Sequence, residues 1–455
     1  MIYNTESLLS ESIQGLRGTC TVVGDKSISH RAIMLSSIAE GKTKIKGILK
    51  STDIHSTINA MRALGVQISN LDNDDIEVVG VGMHGLKEPS KPLNLGNAGT
   101  GVRLLMGLTG SQKITATFTG DDSLSNRPMG RITEPLSKMG IQVRNDGNGL
   151  LPITITGRSS PLPISYISPV ASAQIKSAIL LAGLNARGVT SITEPVKSRD
   201  HTERMLEHFG VSVDKKTDPS GRYQVSLTGG ASLQAKDIIV PRDPSSAAFL
   251  VVAALITEDS NISLPRIGMS PERIGLITTL QEMGGNIKIS NYRKVGGEEV
   301  ADIQVSSSHL KGIVVPADRA PSMIDEYPIL SVAAATASGV TLMENIGELR
   351  HKEADRIALM ANGLRLAGVQ VNETETSMEI QGTKSTNGKS YIKGGFSISS
   401  KHDHRIAMSF LTLGFVSSDG IIVDGVSTIE TSFPGFVELM NKHGSRITPV
   451  KNKST

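Results

Sequence analysis

The sequence predicts an α/β protein of two domains, each holding three copies of one strand–helix repeat. Two recurring patterns carry this prediction: a short phrase around a glycine occurs six times, and an apolar, helix-like segment occurs between those phrases. The length of 455 residues is the third observation, because a single hydrophobic core rarely grows beyond about 250–300 residues. Repeats of about 75 residues therefore favour two groups of three.

The recurring glycine follows an amphipathic run and precedes a short β-type pattern. The phrases are ALGVQI, KMGIQV, HFGVSV, EMGGNI, LAGVQV and KHGSRI, around Gly65, Gly140, Gly210, Gly284, Gly368 and Gly444. Ahead of the first glycine, Ile54, Ile58 and Met61 fall at helical spacing. A glycine directly after such a run is typical of the left-handed residue that ends a helix. The residues after it alternate as in a half-buried strand.

A more apolar helix is predicted earlier in each repeat, opening at a residue type that commonly caps helices. The predicted opening residues are Asp25, Asn97, Ser172, Asp243, Asp325 and Asp403. These helices are too apolar for a surface, which predicts that they form the buried centre of each domain. Strand-rich segments such as TKIKGIL, TATFTG and GVTLME link the helices. Each repeat thus reads strand, helix, strand, helix, strand, with a further strand plausible.

Composition excludes several classes of protein. The chain has 47 Lys+Arg against 44 Asp+Glu, which is not the strongly basic balance that nucleic-acid binding favours. A single cysteine, Cys20, excludes a disulfide framework and a multi-cysteine metal site. The N-terminus has no signal-peptide pattern, and the apolar run 247–256 is too short to span a bilayer. We expect a cytoplasmic monomer with no nucleic-acid or membrane partner.

The predicted helix starts carry the candidate ligand-binding residues, because helix N-termini combine partial positive charge with free N–H groups. Many cations stand there in a nearly neutral protein, which indicates strongly anionic small ligands. The acidic residues among them, Asp325 and Glu353, are candidates for general base and general acid. For Arg103, Lys176 and Arg350, position alone leaves ligand contact and a purely structural role open.

Nine segments occur in a fixed order from near residue 20 to near residue 436. They are GDKSISHRA, LGNAGTGVRLL, RPMGRI, ASAQIKSAILLAGL, SRDHTERML, DEYPIL, RHKEADR, DHRIAMSF and TSFPGF. With these segments the sequence resembles the 5-enolpyruvylshikimate-3-phosphate (EPSP) synthases. The resemblance implies a two-domain inverse α/β barrel of six βαβαββ repeats, with the active site in the interdomain cleft. It implies one domain at 25–240, on the shikimate 3-phosphate side, and a second at 1–24 plus 241–455 that holds the catalytic carboxylates.

Members of that family are 3-phosphoshikimate 1-carboxyvinyltransferases of the shikimate pathway, which leads to chorismate and the aromatic amino acids. These enzymes are the target of glyphosate. They move the enolpyruvyl group of phosphoenolpyruvate to the 5-hydroxyl of shikimate 3-phosphate and release phosphate, with no cofactor or metal. The resemblance implies that Asp325 is the base facing the 5-hydroxyl, Glu353 the proton-transfer group at the enol carbon, and Lys26 a catalytic contact to phosphoenolpyruvate.

The resemblance also implies the remaining substrate contacts. The shikimate part would be held by Ser27 and Arg31, and the phosphoenolpyruvate pocket would be lined by Asn97, Gly99 and Arg127. Shikimate 3-phosphate would be bound, largely at its phosphate, by Ser172, Ala173 and Gln174, with Ser198 or Arg199. The cage around the second substrate would be completed by Lys352, Arg356, His404 and Arg405.

Two features depart from the family pattern. Thr431 stands where many members have a lysine, so one phosphoenolpyruvate cation is missing or replaced. The segments ASAQ and SRDHTE resemble the class II branch, known for glyphosate-tolerant members, whereas tolerance there commonly accompanies a bulkier residue than Gly99. These two signals oppose each other and leave glyphosate sensitivity open.

Three other functions compete with this interpretation. The related enolpyruvyl transferase that acts on UDP-N-acetylglucosamine relies on a loop cysteine near the helices of the second repeat, whereas Cys20 precedes the first helix. A ring-shaped DNA clamp also repeats α/β units, but it requires basic inner helices. A non-catalytic sugar-phosphate binder would retain its function without Asp325 and Glu353.

Overall fold

The computed structural model describes residues 6–450 except 72, 74 and 385–390. The chain divides into two compact units. The N-terminal unit comprises Gly24–Pro241 and the short segment Lys294–Glu298; the C-terminal unit comprises the residues up to Val23, Arg242–Arg293 and the residues from Glu299 onward. The grouping of Lys294–Glu298 with the N-terminal unit was not indicated by any feature of the sequence. None of the described helices is long and apolar enough to cross a bilayer.

Two short strands open the described chain and belong to the C-terminal unit: β1 (Ser7–Ser10) and β2 (Arg17–Thr19). The N-terminal unit follows. Its elements are α1 (Lys26–Ile38), β3 (Glu40–Lys46), α2 (Thr52–Ala63), β4 (Gln67–Ile68), β5 (Asp75–Val81), β6 (Leu93–Asn94), α3 (Gly99–Gly110), β7 (Thr115–Thr119), α4 (Asp122–Ser125), α5 (Gly130–Lys138), β8 (Gln142–Arg144), β9 (Ile153–Thr156), β10 (Ser165–Ile167), α6 (Ala173–Gly183), β11 (Val189–Glu194), α7 (His201–His208), β12 (Asp214–Thr217), β13 (Tyr223–Thr228) and β14 (Ile238–Ile239).

The C-terminal unit continues the same order of elements. They are α8 (Pro244–Ile256), β15 (Asn261–Gly268), α9 (Gly275–Glu282), β16 (Asn286–Val295), β17 (Glu298–Ser306), β18 (Val314–Val315), α10 (Ala320–Met323), α11 (Tyr327–Ala335), β19 (Val340–Met343), α12 (Arg356–Leu366), β20 (Gln370–Glu373), β21 (Met378–Gln381), β22 (Phe396–Ser399), α13 (His404–Gly414), β23 (Ile421–Asp424), α14 (Phe436–Lys442) and β24 (Ile447–Pro449). Short 3-10 turns cover Ala317–Arg319, Ile324–Glu326, Gly347–His351 and Val426–Thr431.

The strands form four-stranded sheets, one for each repeat, that share one topology. In the sheet β6-β7-β9-β8, β6 runs parallel to β7, and the other neighbours are antiparallel. The other sheets are β14-β3-β5-β4, β10-β11-β13-β12, β16-β17-β15-β2, β18-β19-β21-β20 and β22-β23-β1-β24. The further strand expected in each repeat is therefore present. In three sheets, a strand distant in sequence completes the set: β14 beside β3, β2 beside β15, and β1 between β23 and β24.

The first helix of each repeat is buried, as the sequence predicts. In α8, every residue from Pro244 to Leu255 is buried, and α1, α3, α6, α11 and α13 are buried along most of their length. The glycine after each second helix has a positive φ, between 76° and 115° in the six repeats, which confirms the predicted left-handed helix ends.

The predicted helix caps are correct in four repeats and wrong in two. The side chains of Asp25, Ser172, Asp243 and Asp403 accept a hydrogen bond from a backbone N–H of the first turn. Asn97 is not a cap, because α3 begins at Gly99 after Ala98. Asp325 is not a cap either, because it lies inside a 3-10 turn ahead of α11. These two side chains instead contact cationic residues of the candidate site.

Candidate active site

The predicted site residues fall into two groups, one in each unit. The N-terminal unit holds Lys26, Ser27, Arg31, Asn97, Gly99, Arg127, Ser172, Ala173, Gln174, Ser198 and Arg199, at or near the starts of α1, α3, α5, α6 and α7. The C-terminal unit holds Asp325, Lys352, Glu353, Arg356, His404 and Arg405, at or near the starts of α11, α12 and α13. In both units these residues lie at or near helix N-termini, where backbone N–H groups favour anions.

Lys26, the first residue of α1, forms an ion pair with the carboxylate of Asp53 on α2. The Asp53 side chain is 3% exposed and that of Lys26 is 24% exposed. A lysine stem is flexible, so a buried carboxylate beside it limits the directions that the ammonium group can take. Asp53 was not predicted as a site residue, because the sequence shows there only an acidic residue in the first turn of a predicted helix.

Arg31 connects three helices of the N-terminal unit. Its Nε donates to Thr202 Oγ1 at 2.7 Å on α7, its Nη2 donates to Ser177 Oγ at 2.8 Å on α6, and its Nη1 donates to the Ser27 carbonyl at 2.9 Å. Burial lowers the pKa of Arg31 to about 10, and the nearby guanidinium of Arg199 contributes to that lowering. The carboxylate of Glu203 is the main group that opposes this shift. Two cations that repel each other in this way form a favourable environment for a multiply charged anion.

Asn97 and Arg127 form one hydrogen-bonded unit at the start of α3. Arg127 Nη2 donates to Asn97 Oδ1 at 2.7 Å, while Asn97 Nδ2 donates to Asp121 Oδ2 at 2.9 Å. Gly99 lies against the same guanidinium, since a Cβ at this position would be 3.0 Å from Arg127 Nη1. A side chain at residue 99 would therefore press on Arg127.

Gln174 links the start of α6 to α3. Its Oε1 accepts a hydrogen bond from Arg103 Nη1 at 2.7 Å, and its Nε2 donates to Thr100 Oγ1 at 3.1 Å. These contacts fix which end of the carboxamide is the donor. Arg103, whose role the sequence left open, thus orients a predicted substrate contact.

Ser172 and Ser198 share a buried partner, Glu194, which was not predicted from the sequence. The backbone N–H of Ser172 donates to Glu194 Oε1 at 2.8 Å, and Ser198 Oγ donates to the same oxygen at 2.7 Å. Lys176 Nζ lies 2.9 Å from Glu194 Oε2 and 2.9 Å from Glu203 Oε1, and all three of these charged side chains are fully buried. Lys176 is therefore structural and does not present its charge to a ligand.

Arg356 is the centre of the group in the C-terminal unit. Its Nη2 donates to Glu353 Oε2 at 2.6 Å, its Nη1 lies 3.4 Å from Asp325 Oδ1, and its Nε donates to Asp403 Oδ2 at 2.8 Å. Burial alone would lower the pKa of Arg356, but these three carboxylates together raise it above its ordinary value. The two candidate catalytic carboxylates are therefore held by adjacent amino groups of one buried guanidinium.

Asp325 is surrounded by cations. Besides Arg356, Lys352 Nζ lies 3.8 Å from its Oδ1 and Arg405 Nη2 lies 4.0 Å from its Oδ2. Arg405 Nη1 also donates to the Asp325 carbonyl at 3.0 Å and to Glu326 Oε1 at 3.3 Å. His404 is the buried first residue of α13, beside Arg405. This arrangement combines positive charge for anionic substrates with carboxylates that can exchange protons.

Two further positions were left open by the sequence and now have contacts. Arg350 Nη1 donates to Asp355 Oδ2 at 2.7 Å and its Nη2 to the Thr374 carbonyl at 2.6 Å, so it braces the segment that carries Lys352 and Glu353. Thr431 Oγ1 donates to the Thr428 carbonyl at 2.6 Å within its own turn. Position 431 therefore supplies neither a charge nor this hydroxyl hydrogen to a ligand.

Comparison with known proteins identifies the family. Residues 10–440 match the sequence model of the family described as EPSP synthase (3-phosphoshikimate 1-carboxyvinyltransferase). The chain belongs to the EPSP synthase family. Among curated relatives, the 3-phosphoshikimate 1-carboxyvinyltransferase of Parvibaculum lavamentivorans is 50% identical over 443 residues, covering 97% of each chain. That of Chelativorans sp. is 50% identical over 439 residues, covering 96% of this chain and 97% of the relative.

Solved structures support the same assignment. The EPSP synthase of Acinetobacter baumannii superposes with a TM-score of 0.86 at 45% sequence identity, covering 98% of this chain and all of that one. The enolpyruvyl transferase NikO of Streptomyces tendae gives a TM-score of 0.73 at 14% identity, covering 98% and 99% of the two chains, which is evidence for the fold alone. The expected fold, an α/β protein of two inverse barrels, is thus confirmed, and so is its membership among the EPSP synthases.

Proposed function

We propose that this enzyme transfers the enolpyruvyl group of phosphoenolpyruvate to the 5-hydroxyl of shikimate 3-phosphate. The reaction forms an ether bond at C2 of the enolpyruvyl group, breaks the bond from C2 to the phosphate oxygen and releases phosphate. The observation that carries the proposal is the pair of carboxylates, Asp325 and Glu353, that one buried guanidinium of Arg356 holds. In this proposal Asp325 accepts the proton of the 5-hydroxyl and Glu353 exchanges a proton with the enol carbon.

The other cations have binding roles in this proposal. Lys26, Arg127 and Arg405 neutralise phosphoenolpyruvate, with Asn97, Gly99, Lys352, Arg356 and His404 completing its surroundings. Ser27, Arg31, Ser172, Ala173, Gln174 and the 198–199 pair hold shikimate 3-phosphate. Support comes from the concentration of buried and half-buried cations at the helix starts, since guanidinium groups recognise phosphate and carboxylate with bidentate geometry.

The direct test compares two acceptor substrates. Phosphate release from phosphoenolpyruvate is measured with shikimate 3-phosphate in one series and with UDP-N-acetylglucosamine in the other. We expect turnover only with shikimate 3-phosphate. Turnover with the nucleotide sugar would favour the related transferase, and binding without phosphate release would favour a non-catalytic sugar-phosphate binder.

Asp53→Asn should raise the KM for phosphoenolpyruvate by about tenfold, because it removes the charge that directs Lys26, and hydrogen bonds to charged groups contribute substantially. Steady-state kinetics with either substrate varied would show the change. Glu77→Gln is the matched control, since Glu77 pairs with the exposed Lys42 at 3.1 Å. An unchanged KM for phosphoenolpyruvate in Asp53→Asn would mean that this ion pair does not position Lys26 for substrate.

Gly99→Ala should weaken inhibition by glyphosate more than it weakens binding of phosphoenolpyruvate. The added Cβ would stand 3.0 Å from Arg127 Nη1 and would reduce the space beside that guanidinium. Glyphosate is larger than phosphoenolpyruvate, so it requires more of that space. The measurement is the ratio of the glyphosate inhibition constant to the KM for phosphoenolpyruvate in parent and variant. Equal ratios would contradict the expectation.

As part of this proposal, the enzyme works as a monomer in the cytoplasm. The buried thiol of Cys20 fits a reducing compartment, because no disulfide can form within the chain. Light scattering during size-exclusion chromatography should give the mass of one chain, 48.2 kDa. A mass near twice that value would contradict the monomer.

A further inference from the structure

Polar side chains connect the starts of three helices in the C-terminal unit. Ser245 lies in the first turn of α8, Glu326 directly precedes α11, and Arg405 lies in the first turn of α13. Ser245 Oγ donates to Glu326 Oε1, and Arg405 Nη1 donates to the same oxygen at 3.3 Å. Behind them, Arg273 Nη2 donates to Ser245 Oγ at 2.9 Å. These four side chains form one continuous polar chain that ends at a predicted substrate contact.

The hydrogen bonds of this polar chain can run in one direction only. A guanidinium only donates, so Ser245 Oγ accepts from Arg273 and gives its single hydrogen to Glu326. Arg273 is itself held, because its Nη2 also donates to Asp243 Oδ1 at 2.9 Å. The side chains of Arg273 and Glu326 are each 3% exposed, whereas that of Arg405 is 14% exposed. The buried members therefore form a fixed support for Arg405.

This support determines which part of the Arg405 guanidinium can contact a ligand. Nη1 has two hydrogens, and it has two acceptors: the Asp325 carbonyl at 3.0 Å and Glu326 Oε1 at 3.3 Å. Nη2 lies 4.0 Å from Asp325 Oδ2, which is beyond hydrogen-bond distance. With Nη1 occupied, Nε and Nη2 are the pair of donors that can form two parallel hydrogen bonds to a carboxylate or phosphate.

The adjacent carboxylates Asp325 and Glu326 have different surroundings. Asp325 is 18% exposed and contacts Arg356, whereas Glu326 is 3% exposed and contacts Ser245 and Arg405. A carboxylate buried to this degree does not reach a substrate in the cleft. Any effect of Glu326 on the kinetics must therefore act through Arg405 or through the stability of the fold.

We propose that Glu326 is a positioning residue for phosphoenolpyruvate. It holds Nη1 of Arg405, so that Nε and Nη2 face an anionic group of the substrate, and Ser245 holds Glu326 in turn. The proposal rests on the proposed function, in which Arg405 neutralises phosphoenolpyruvate. It adds a specific role for a buried carboxylate that contacts neither substrate.

Glu326→Gln tests the positioning role. Glutamine keeps the shape but removes the charge that holds Arg405, and hydrogen bonds to charged groups are the stronger ones. We expect the KM for phosphoenolpyruvate to rise about tenfold, with the KM for shikimate 3-phosphate within about twofold and kcat within about threefold of the parent. Glu282→Gln is the matched control, since Glu282 pairs with Arg319 at 2.6 Å in the same unit. All its kinetic constants should stay within about twofold of the parent.

A double-mutant cycle distinguishes positioning from a general structural role. Arg405→Lys keeps a cation but loses the planar pair of donors that Glu326 orients. In that background, Glu326→Gln should change the KM for phosphoenolpyruvate by no more than about twofold. A structural role would instead give independent effects that multiply, and it would raise the KM for both substrates.

Ser245→Ala examines the polar chain without changing a charge. It removes the hydrogen bond to Glu326, so the KM for phosphoenolpyruvate should rise about threefold, again with little change for shikimate 3-phosphate. Ser331→Ala is the matched control, because this buried hydroxyl donates to the Tyr327 carbonyl of its own helix at 2.8 Å. It should leave both KM values near those of the parent.

Three results would overturn the positioning role: an unchanged KM for phosphoenolpyruvate in Glu326→Gln, equal increases for both substrates, or independent effects in the cycle. If Glu326→Gln does not fold, Ser245→Ala decides, and an unchanged KM for phosphoenolpyruvate there would overturn the role. A parent enzyme that releases no phosphate from phosphoenolpyruvate with shikimate 3-phosphate would instead overturn the proposed function, and this proposal with it.

Discussion

Glu353→Gln and Asp325→Asn are each expected to lower kcat by about two to four orders of magnitude while shikimate 3-phosphate still binds. General acid–base groups typically contribute rate factors of this size, because an amide of the same shape cannot exchange the proton. Neither change leaves Arg356 alone in the interior, since Asp403 still accepts its Nε at 2.8 Å. The loss should therefore be chemical, with the fold retained.

The measurement combines phosphate release with calorimetric binding of shikimate 3-phosphate. Glu348→Gln is the control, since Glu348 lies 3.6 Å from Lys352 Nζ, much as Asp325 lies 3.8 Å from it, but is outside the Arg356 cluster. We expect its kcat to remain close to that of the parent. If either Asp325→Asn or Glu353→Gln kept kcat within about tenfold of the parent, that carboxylate would have no part in proton transfer.

The repeat, the buried first helices and the helix-ending glycines could all be predicted from the sequence because each depends on residues close together in the chain. The apolar run of α8 and the glycine at position 65 report local periodicity and local backbone geometry. The strands that join a sheet from a distant part of the chain could not be predicted this way. The pairing of β1 with β23 joins Leu8 to Val423, and no local pattern specifies a partner so distant in sequence.

The failed cap predictions at Asn97 and Asp325 are explained by the contacts that these side chains make. Asn and Asp favour caps because their side chains satisfy free backbone N–H groups. At these two starts the side chains instead contact Arg127 and Arg356, so they do not satisfy the first N–H groups of the helix. The local rule fails where the side chain contacts a cation of the candidate site instead of the helix backbone.

The candidate site residues could be predicted from the sequence, but the carboxylates that contact them could not. Asp53, Asp121 and Glu194 each contact a predicted site residue from a different element. One signal was available in hindsight: Lys176 is a charged residue within an apolar helix, and a buried cation requires carboxylates nearby. Which carboxylates meet that need depends on how α6 packs, and this is a tertiary property.

Lys176→Met should strongly destabilise the N-terminal unit. It leaves Glu194 and Glu203 fully buried without their cation, and breaking a buried ion pair in this way typically costs about 3–5 kcal/mol. Burial already raises the pKa of Glu203 above its ordinary value although Lys176 opposes that shift, so removing Lys176 should raise it further. We therefore expect the midpoint of thermal unfolding to fall on the order of 10 °C at neutral pH.

The sign of the pH dependence separates this explanation from a simple loss of packing. A carboxyl with a higher pKa in the folded chain binds protons preferentially when folded, so its stabilising contribution is complete below its unfolded pKa, about 4.3, and is lost as the pH rises through the folded value. The deficit of Lys176→Met against the parent should therefore grow between about pH 4.5 and neutrality. Adding Glu194→Gln and Glu203→Gln should remove that growth, and Lys138→Met, which breaks an exposed pair with Glu134, should show none. A deficit of equal size at pH 5 and pH 8 would mean that lost packing, not uncompensated charge, destabilises the variant.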